Sequence, residues 1–323
     1  MHAQTVTAVV VAYNRRDLLT QTLTALAGQS RPVDRVLVID NASTDDSAAV
    51  ATAHPVGAEV ITMPRNLGGA GGFTAGIARA VNAGADLVWL MDDDTIPSAT
   101  ALEALLQARA DYPGTPAVLA SRAVWKDGRQ HPMNTPRNRP GASRELRQHA
   151  AQIDTRQIRS ASFVSVLIDA RAIWEDGLPE ADFFLWNDDF EYTARLLRHR
   201  VGLYVPASVV THMTRTFGAS EVDPGARFYN EVRNKIWVFT RSEALNPVEK
   251  LLYGGRSVLR WLQTLAASGQ KRALLEYAGQ GIRDATLPPV PSHDIFADTP
   301  VHADVCAIQR RAGLLAAELQ GYA

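Results

Sequence analysis

The chain has 323 residues, 46% of them hydrophobic and 21% charged, with a formal net charge of -1 at neutral pH. That balance belongs to a globular protein long enough for one large core plus a smaller appended element, and it offers no basic surface for nucleic acid. The single cysteine, Cys306, excludes an intramolecular disulfide framework and a cysteine-based zinc cluster, and fits a reducing compartment.

Met1 to Gln4 carry no positive charge ahead of the short apolar run Val6 to Tyr13, and no small-residue cleavage site follows, so that run is read as a buried strand. No stretch reaches the ~18 consecutive apolar residues that span a bilayer. Any membrane association is therefore expected to be peripheral, at the inner face, with the catalytic half in the cytoplasm. Thr7 to Ala12, Arg35 to Asp40, Glu59 to Met63, Asp86 to Met91 and Ala117 to Ala120 read as strands. Helical spacing fills the gaps, as in Leu18, Leu19, Leu23 and Leu26 or Leu102, Leu105 and Leu106. This alternation predicts an α/β, Rossmann-like fold, with a mostly parallel sheet flanked by helices.

Residues 125–158 are polar and arginine-rich with three prolines, and predict a long surface loop or lid with little regular structure. Ala161 to Ile168 then reads as a strand, Asp188 to Arg198 as a helix and Val201 to Val205 as a strand. From Asp223 the pattern is helical, broken at Leu287-Pro288-Pro289-Val290-Pro291, with a last helix near Ile308 to Leu319. The expected organisation is a catalytic domain over 1–220 and a helical C-terminal region over 221–323.

Ligands of such sheets bind at the carboxyl ends of the strands. Tyr13-Asn14-Arg15-Arg16 follows the first strand, Asp40-Asn41-Ala42-Ser43 the second, Arg65-Asn66-Leu67-Gly68-Gly69 the third and Asp92-Asp93-Asp94 the fourth. In extended backbone Asp92 and Asp94 share a side while Asp93 points elsewhere. Adjacent anions repel, and Mg²⁺ or Mn²⁺ with oxygen ligands relieves that repulsion. The alternative is an acidic turn capping the next helix through Asp94 or Thr95. The glycine run from Gly68 to Gly72 lets backbone approach a ligand at a helix N-terminus. It follows the third strand rather than the first and lacks the Gly-x-Gly-x-x-Gly spacing, which argues against a dinucleotide-binding oxidoreductase.

Together, Val9 to Arg15, Val38 to Asp45, Arg65 to Phe73 and Met91 to Asp94 resemble a bacterial family 2 inverting glycosyltransferase of the GT-A fold. Asn66 to Phe73, Asp92 to Asp94 and Trp186-Asn187-Asp188-Asp189-Phe190-Glu191-Tyr192 are most similar to actinobacterial galactofuranosyltransferases and their rhamnosyltransferase-like relatives. The resemblance runs from residue 5 to about residue 240.

It implies a nucleotide-diphosphate sugar donor and a cell-wall or lipid-linked glycan acceptor. Tyr13 to Arg15 would line the nucleotide, and Asp40 would accept from the uracil N–H, although Asp40 and Asn41 also suit an Asx turn. Arg65 fits a diphosphate or base contact, Asn66 an orienting role, and Gly69 a close backbone approach; Asp92 and Asp93 would also touch substrate. Position in the motif makes Asp189 the base that deprotonates the acceptor hydroxyl. Trp186, Asp188 and Glu191 would hold the acceptor or orient the loop, unless these acids only complement the helix dipole. The family places a metal-binding histidine at His212, which would join Asp92 and Asp94; a histidine after a strand is otherwise structural. Arg227 to Lys235 resembles a helix closing over the site, with Arg233 on the diphosphate, or else a basic face packed through Phe228 and Trp237. Leu251, Leu252, Val258, Leu259, Trp261 and Leu262 alternate with Lys250, Arg256 and Arg260, as in an interfacial helix or, by preference, one packed on its own domain. The remaining alternative is a non-catalytic nucleotide-sugar or glycan-binding protein.

Overall fold

Every residue of β1 (Val6–Ala12) is buried, as expected of a central strand covered on both faces. A computed structural model describes residues 4–217 and 223–321, with side chains described as far as 313. After β1 come α1 (Arg16–Ala27), β2 (Arg35–Asp40), α2 (Ser47–Ala53), β3 (Glu59–Thr62), α3 (Gly68–Asn82), β4 (Leu87–Asp92), β5 (Thr95–Pro97), α4 (Ala101–Asp111) and β6 (Val118–Val124). The middle of the chain adds β7 (Arg137–Asn138), α5 (Arg144–Gln152), β8 (Arg156–Ser160), β9 (Val166–Asp169), α6 (Ala170–Asp176), α7 (Asp188–Leu196) and β10 (Gly202–His212). The chain then turns helical: α8 (Arg227–Thr240), α9 (Pro247–Ala267), α10 (Lys271–Asp284), α11 (Ser292–Ile295) and α12 (His302–Gly321).

The strands form one sheet in the order β3-β2-β1-β4-β9-β6-β10-β8-β7, with β5 also on β10. β3, β2, β1 and β4 are parallel, as are β6 and β10, while β9 lies antiparallel between β4 and β6. The chain order reverses at β1 and β4, so their carboxyl ends open the crevice where α/β sheets bind ligands.

Two expectations need correction. The strand expected over Ala161 to Ile168 starts only at Val166, because Ala161 gives its N–H and its carbonyl to Thr193 Oγ1 instead of to a neighbouring strand. The segment expected to be a loop holds α5, capped by Ser143, and the edge strands β7 and β8, so its arginines decorate ordered structure.

The division expected at 220/221 falls outside the described residues, as do Met1 to Ala3. Beyond it, Phe296, Val301, Val305 and Ile308 return to the same apolar cluster as Val9, Ile39 and Ile77. The last helix thus belongs to the catalytic body, while α8, α9 and α10 pack into satellite clusters. Helix α9 packs on its own domain, as preferred from the sequence, through Tyr253, Trp261 and Leu265, and leaves its other large apolar side chains outside. Val248, Leu251, Leu252, Val258, Leu259 and Leu262 are all exposed, and only Ser257 of this helix is buried. No helix among the described residues is long and apolar enough to cross a membrane.

Glycines fix how closely α3 lies on the sheet. A Cβ on Gly72 would stand 2.4 Å from Val11 Cγ1, and one on Gly76 2.2 Å from Val9 Cγ1. Both apposed valines are buried in β1, so neither can swing aside. Gly76→Ala is expected to destabilise by about 1–3 kcal/mol through overpacking. That corresponds to several degrees in a thermal melt, since ~1 kcal/mol is worth about 2–4 °C in chains of ~150–250 residues. An unchanged melting temperature would contradict the contact.

Candidate active site

The register of the sheet sets the site. Val11 of β1 lies opposite Asp92 and Ala12 opposite Asp40, so both acids stand at the carboxyl ends beside the switch point. Past β4 the chain alternates sides. Asp93 turns back to β1, its Oδ2 accepting the Tyr13 N–H at 2.9 Å, whereas Asp94 faces β10. β5 pairs antiparallel with β10 and sets Thr95 opposite His212, which brings His212 Nε2 to 3.1 Å from Asp94 Oδ1. Asp92, Asp94 and His212 each present a ligand atom, all within 4.8 Å of one another. Helix α4 starts only at Ala101, after Thr100, so neither Asp94 nor Thr95 serves as its cap.

These groups fit a divalent cation. His212 Nδ1 lies 2.9 Å from Asn134 Oδ1, which assigns the Nδ1 proton to that bond and leaves Nε2 for a proton or a metal. Asp94 Oδ1 is buried and makes no hydrogen bond of acceptable geometry, even to Nε2. Two carboxylates and an imidazole are a donor set that Mn²⁺ or Mg²⁺ accepts. Charge compensation comes here from Arg15, which is ion-paired with Asp94 and lies 3.4 Å from Asp93. Burial, with Asp94 adding repulsion, pushes Asp92 up to about 6. Burial likewise pushes Asp93 up to about 7. Burial acts on Asp94 too, but His212 and Arg15 outweigh it and hold this carboxyl below its ordinary value. Burial opposes a charge on His212, yet Asp94 raises it.

Asp188 and Asp189 open α7 after an unusual approach. Phe184, Trp186 and Asn187 all have positive φ, at 59°, 69° and 67°. Such backbone costs roughly 1–3 kcal/mol per residue and persists only where its surroundings enforce it. The enforcing group is Asn234 of α8, fully buried, whose amide donates to the carbonyls of Phe183, Leu185 and Trp186 at 2.8, 3.0 and 2.8 Å. Asn187 is tied to Glu231 at 3.0 Å. Asp189 Oδ1 accepts the Phe190 N–H at 2.6 Å, and burial pushes this carboxyl up to about 6. Burial and the neighbouring Asp189 raise Asp188 well above the ordinary carboxylate range. The charge of Asp189 in turn raises Asp92, and that of Asp92 raises Asp188, so the two acidic groups face one cleft.

Three residues expected to touch ligand are engaged elsewhere. Arg233 donates to the Asp182 carbonyl at 2.5 Å and stacks on Trp237, bracing the same loop as Asn234 rather than reaching for a diphosphate. Glu191 is buried between Arg195 at 2.8 Å and Ser242 at 2.6 Å, because α7 turns it inward. Arg65 holds Asp298 and the Ile295 carbonyl, both at the C-terminal segment. Asn66 caps the Gly68 N–H, an orienting role. Among the glycines of the run, Gly68 meets Phe184, Gly71 meets Leu67 and Gly72 meets Val11, so these serve packing, while the Cβ position of Gly69 is open. Asp40 forms the Asx-type bond to Ser43 N–H through Oδ1, and its Oδ2 remains buried without a partner.

Sequence reasoning missed the residues that hold the motif loops together. Asn14 Oδ1 accepts the Thr44 N–H, Asn41 bridges Leu67 and Gly68, and Asn134 and His131 back His212. Asn14 and Asn41 sit inside the quoted motifs, but Asn134 lies in the segment read as structureless, where no local signal marks it. A larger cavity, of about 390 Å³, lies at the opposite, amino ends of the strands near Asp34 and Arg35, away from these acids.

Family models match residues 7–175, just over half of the chain, to Glycosyl transferase family 2. The chain belongs to that family. It is 31% identical over 257 residues to galactofuranosyltransferase GlfT1 of Mycobacterium tuberculosis, covering 74% of this chain and 83% of that one. It is 42% identical over 99 residues to GlfT1 of Mycolicibacterium smegmatis, a match spanning 31% of this chain and 33% of that protein. Among solved structures, S. aureus TarS 1–349 in complex with UDP aligns with TM-score 0.59 at 14% identity, over 98% of this chain and 92% of that one. The mannosyltransferase PcManGT from Pyrobaculum calidifontis, in complex with GDP-Man and Mn²⁺, aligns with TM-score 0.54 at 17% identity, over 96% and 87%. The fold of this family 2 member is thus the GT-A fold.

Burial raises Asp92, Asp93, Asp188 and Asp189 above the ordinary carboxylate value in the folded chain. The folded state therefore holds more protons between about pH 4 and 7, and stability falls as pH rises through that window. Within the cluster only Asp94 is shifted the other way, and its contribution changes below that window. Differential scanning fluorimetry without divalent cation is expected to show a melting temperature several degrees higher at about pH 5.5 than at about pH 8. Mn²⁺ should restore the loss at the higher pH in the wild type and far less in Asp94→Asn. Equal melting temperatures at both pH values, with or without Mn²⁺, would contradict the cluster.

Proposed function

We propose that this family 2 glycosyltransferase is a metal-dependent, inverting enzyme that moves galactofuranose from UDP-galactofuranose to a cell-wall or lipid-linked glycan acceptor. The observation that carries the reading is the convergence of Asp92, Asp94 and His212 in the same cleft as Asp189. The donor assignment draws on the similarity to GlfT1 galactofuranosyltransferases, and the metal and nucleotide on the complexes of TarS with UDP and of PcManGT with GDP-Man and Mn²⁺.

Asp92, Asp94 and His212 hold Mn²⁺ or Mg²⁺, which supplies Lewis-acid stabilisation of the leaving diphosphate when bound. The unpartnered Oδ2 of Asp40 accepts the imide N–H of uracil, and Tyr13 and Arg15 line the nucleotide. Thymine carries the same N–H, so Asp40 does not itself separate the two pyrimidine donors. Gly69 leaves room for the donor, and Trp186 and Asp188 shape the acceptor side. Asp189 takes the proton of the acceptor hydroxyl as its oxygen bonds to the anomeric carbon and the bond from that carbon to the diphosphate breaks on the opposite face. A carboxyl held near 6 is ionised at neutral pH, yet basic enough to accept that proton.

Asp189→Asn is expected to lower kcat at least ~10²-fold with little change in donor affinity. In the wild type, the rate should rise with pH through about 6 as Asp189 ionises. Asp94→Asn should abolish metal-dependent release of UDP. Saturation-transfer NMR with UDP-galactofuranose and dTDP-rhamnose identifies the donor, because strong transfer to rhamnose protons alone would replace the galactofuranose assignment with a rhamnosyltransferase. Full turnover in both variants would sink the mechanism.

The reading includes peripheral contact with an anionic membrane on the cytoplasmic side. Val248, Leu251, Leu252, Val258, Leu259 and Leu262 recur at helical spacing on the outward face of α9, opposite Ser257. Leu275 and Ile282 of α10 are exposed as well. Between Pro247 and Pro289 stand six basic and three acidic residues, and each of those acids is engaged, Glu249 with Arg159, Glu276 with Arg272 and Asp284 with Tyr229. Apolar side chains bordered by free cations complement anionic lipid. Wild-type protein should co-sediment with phosphatidylglycerol vesicles and less with phosphatidylcholine. Leu251→Asp with Leu259→Asp should weaken this at least about tenfold, since each buried leucine contributes ~1.5–3 kcal/mol. A concentration-dependent dimer abolished by the same pair would assign the stripe to a second copy instead.

A further inference from the structure

A second cluster of charge lies next to Asp189, and none of the metal triad lines it. A cavity of about 140 Å³ is walled by Arg137 of β7, Phe190 of α7, Lys235 of α8, and Tyr253, Arg256 and Arg260 of α9. Four cationic side chains thus converge from three separate segments of chain. Lys235 is buried and bonded at 2.6 Å to Glu231, whose carboxylate also receives Asn187 and Trp261. The Arg137 guanidinium stacks 4.9 Å from the Phe190 ring and 5.4 Å from that of Tyr253. Among the described residues, Arg137, Arg256 and Arg260 form no ion pair and no side-chain hydrogen bond; Glu231 pairs with Lys235 and Asp189 adds its field at Arg137, so two carboxylates face four positive charges.

Arg137 is crowded by its neighbours yet, like Arg256 and Arg260, exposed, so solvent screens part of this repulsion, and a compact anion entering the cavity would meet all four cations. Burial, joined by repulsion from Arg260 and Arg256, holds Arg137 below its ordinary value. Burial lowers Lys235 too, with Arg260 and Arg137 contributing. We infer that this cavity is a subsite for a phosphate group carried by the acceptor, placed so that a sugar hydroxyl attached to it reaches Asp189. The inference rests on the glycosyltransferase reading above. Phe190 fixes the location, because it lines the cavity and immediately follows Asp189 in the chain. Size fixes the class of group: the cavity is well below the roughly 300–1,000 Å³ of a site for a drug-sized ligand, so it takes a compact anion and not a whole sugar. Guanidinium forks suit phosphate oxygens, and several can share one phosphate. The donor's own diphosphate has its place at Asp92, Asp94 and His212.

The probe is phenyl phosphate, titrated calorimetrically into protein already saturated with UDP and Mn²⁺, with benzyl alcohol as the neutral control. Saturable binding of phenyl phosphate alone is expected, weakened at least about tenfold in Arg256→Gln with Arg260→Gln, and separately in Arg137→Gln. UDP affinity in these variants, measured in the same titrations, reports that the fold and donor site are intact. If phenyl phosphate does not bind the UDP-loaded protein, or binds all variants alike, the subsite is overturned while the transferase reading stands. If UDP itself fails to bind, the transferase reading falls and takes the acceptor role with it. Phosphatidylglycerol vesicles that displace phenyl phosphate would assign the cavity to a lipid headgroup and overturn the acceptor assignment. Vesicles that leave it bound support that assignment.

Discussion

Burial of a cluster of carboxylates, with their mutual repulsion second to it, is the constraint on which the site depends. Asp93, Asp94 and Asp188 are each less than a tenth exposed, and Asp92 and Asp189 share their cleft. A protein interior tolerates such a group only through protonation, hydrogen bonds or a countercharge, and the fold uses all three. Asp93 takes the Tyr13 N–H, Asp94 takes Arg15 and His212, and Asp92 and Asp189 are raised toward neutrality. Arg15 hangs on an exposed loop, with half of its side chain open to solvent, so it is the most replaceable of these countercharges. A cleft arranged in this way has a standing affinity for an entering cation, and that property follows from where the strands end.

The same cluster explains why the surrounding loops are stitched so closely. A displacement of one acid changes the field at the others, and the acids stand on two segments, the end of β4 and the start of α7. Asn14 ties the β1 loop to the β2 loop, Asn41 ties the β2 loop to the start of α3, and the Ala70 N–H of α3 meets the Phe184 carbonyl. Asn234 then holds the strained run from Phe183 to Trp186 that presents Asp188 and Asp189. Three carbonyl partners within four residues for one buried amide are what keep three non-glycine residues at positive φ. Helix α8 therefore shapes from behind, through backbone, the turn that presents Asp188 and Asp189, and its Arg233 belongs to that brace.

The first half of the fold was legible because local pattern and tertiary role coincide there. Apolar runs became β1 to β4, and the polar residues after each run landed at the carboxyl ends as the alternation required. Legibility failed where placement depends on distant pairing. β9 slots antiparallel between β4 and β6, a choice that nothing within Val166–Asp169 encodes. Glu191 and Arg233 carry the right chemistry for a site, yet helix phase turns one toward Arg195 and the other toward the Asp182 carbonyl. Asn134 and Arg137 reach the cleft from a segment whose composition looked structureless, because edge strands and exposed helices can be built from polar residues.

Helix α9 shows how far a periodic pattern can mislead about direction. Its leucines repeat at the spacing of a packed helix, and a sequence moment has magnitude but no knowledge of which face meets the protein. In the fold the inward face carries Tyr253, Ser257, Trp261 and Leu265: Ser257 is buried, and Trp261 and Leu265 pack on the cluster of Phe228, Val232 and Leu274. Trp261 also donates to Glu231, and Arg256 and Arg260 flank this face at a cavity shared with Arg137. The outward face carries the valines and the other leucines. A contiguous apolar stripe of this extent is uncommon on the surface of a monomer, and here it lies on the same helix as two cations, Arg256 and Arg260, that wall the cavity beside Phe190. One helix thus separates an environment for charge on its inner side from one for hydrocarbon on its outer side. A molecule with a phosphate between an apolar tail and a polar sugar matches that division without any rearrangement of the chain.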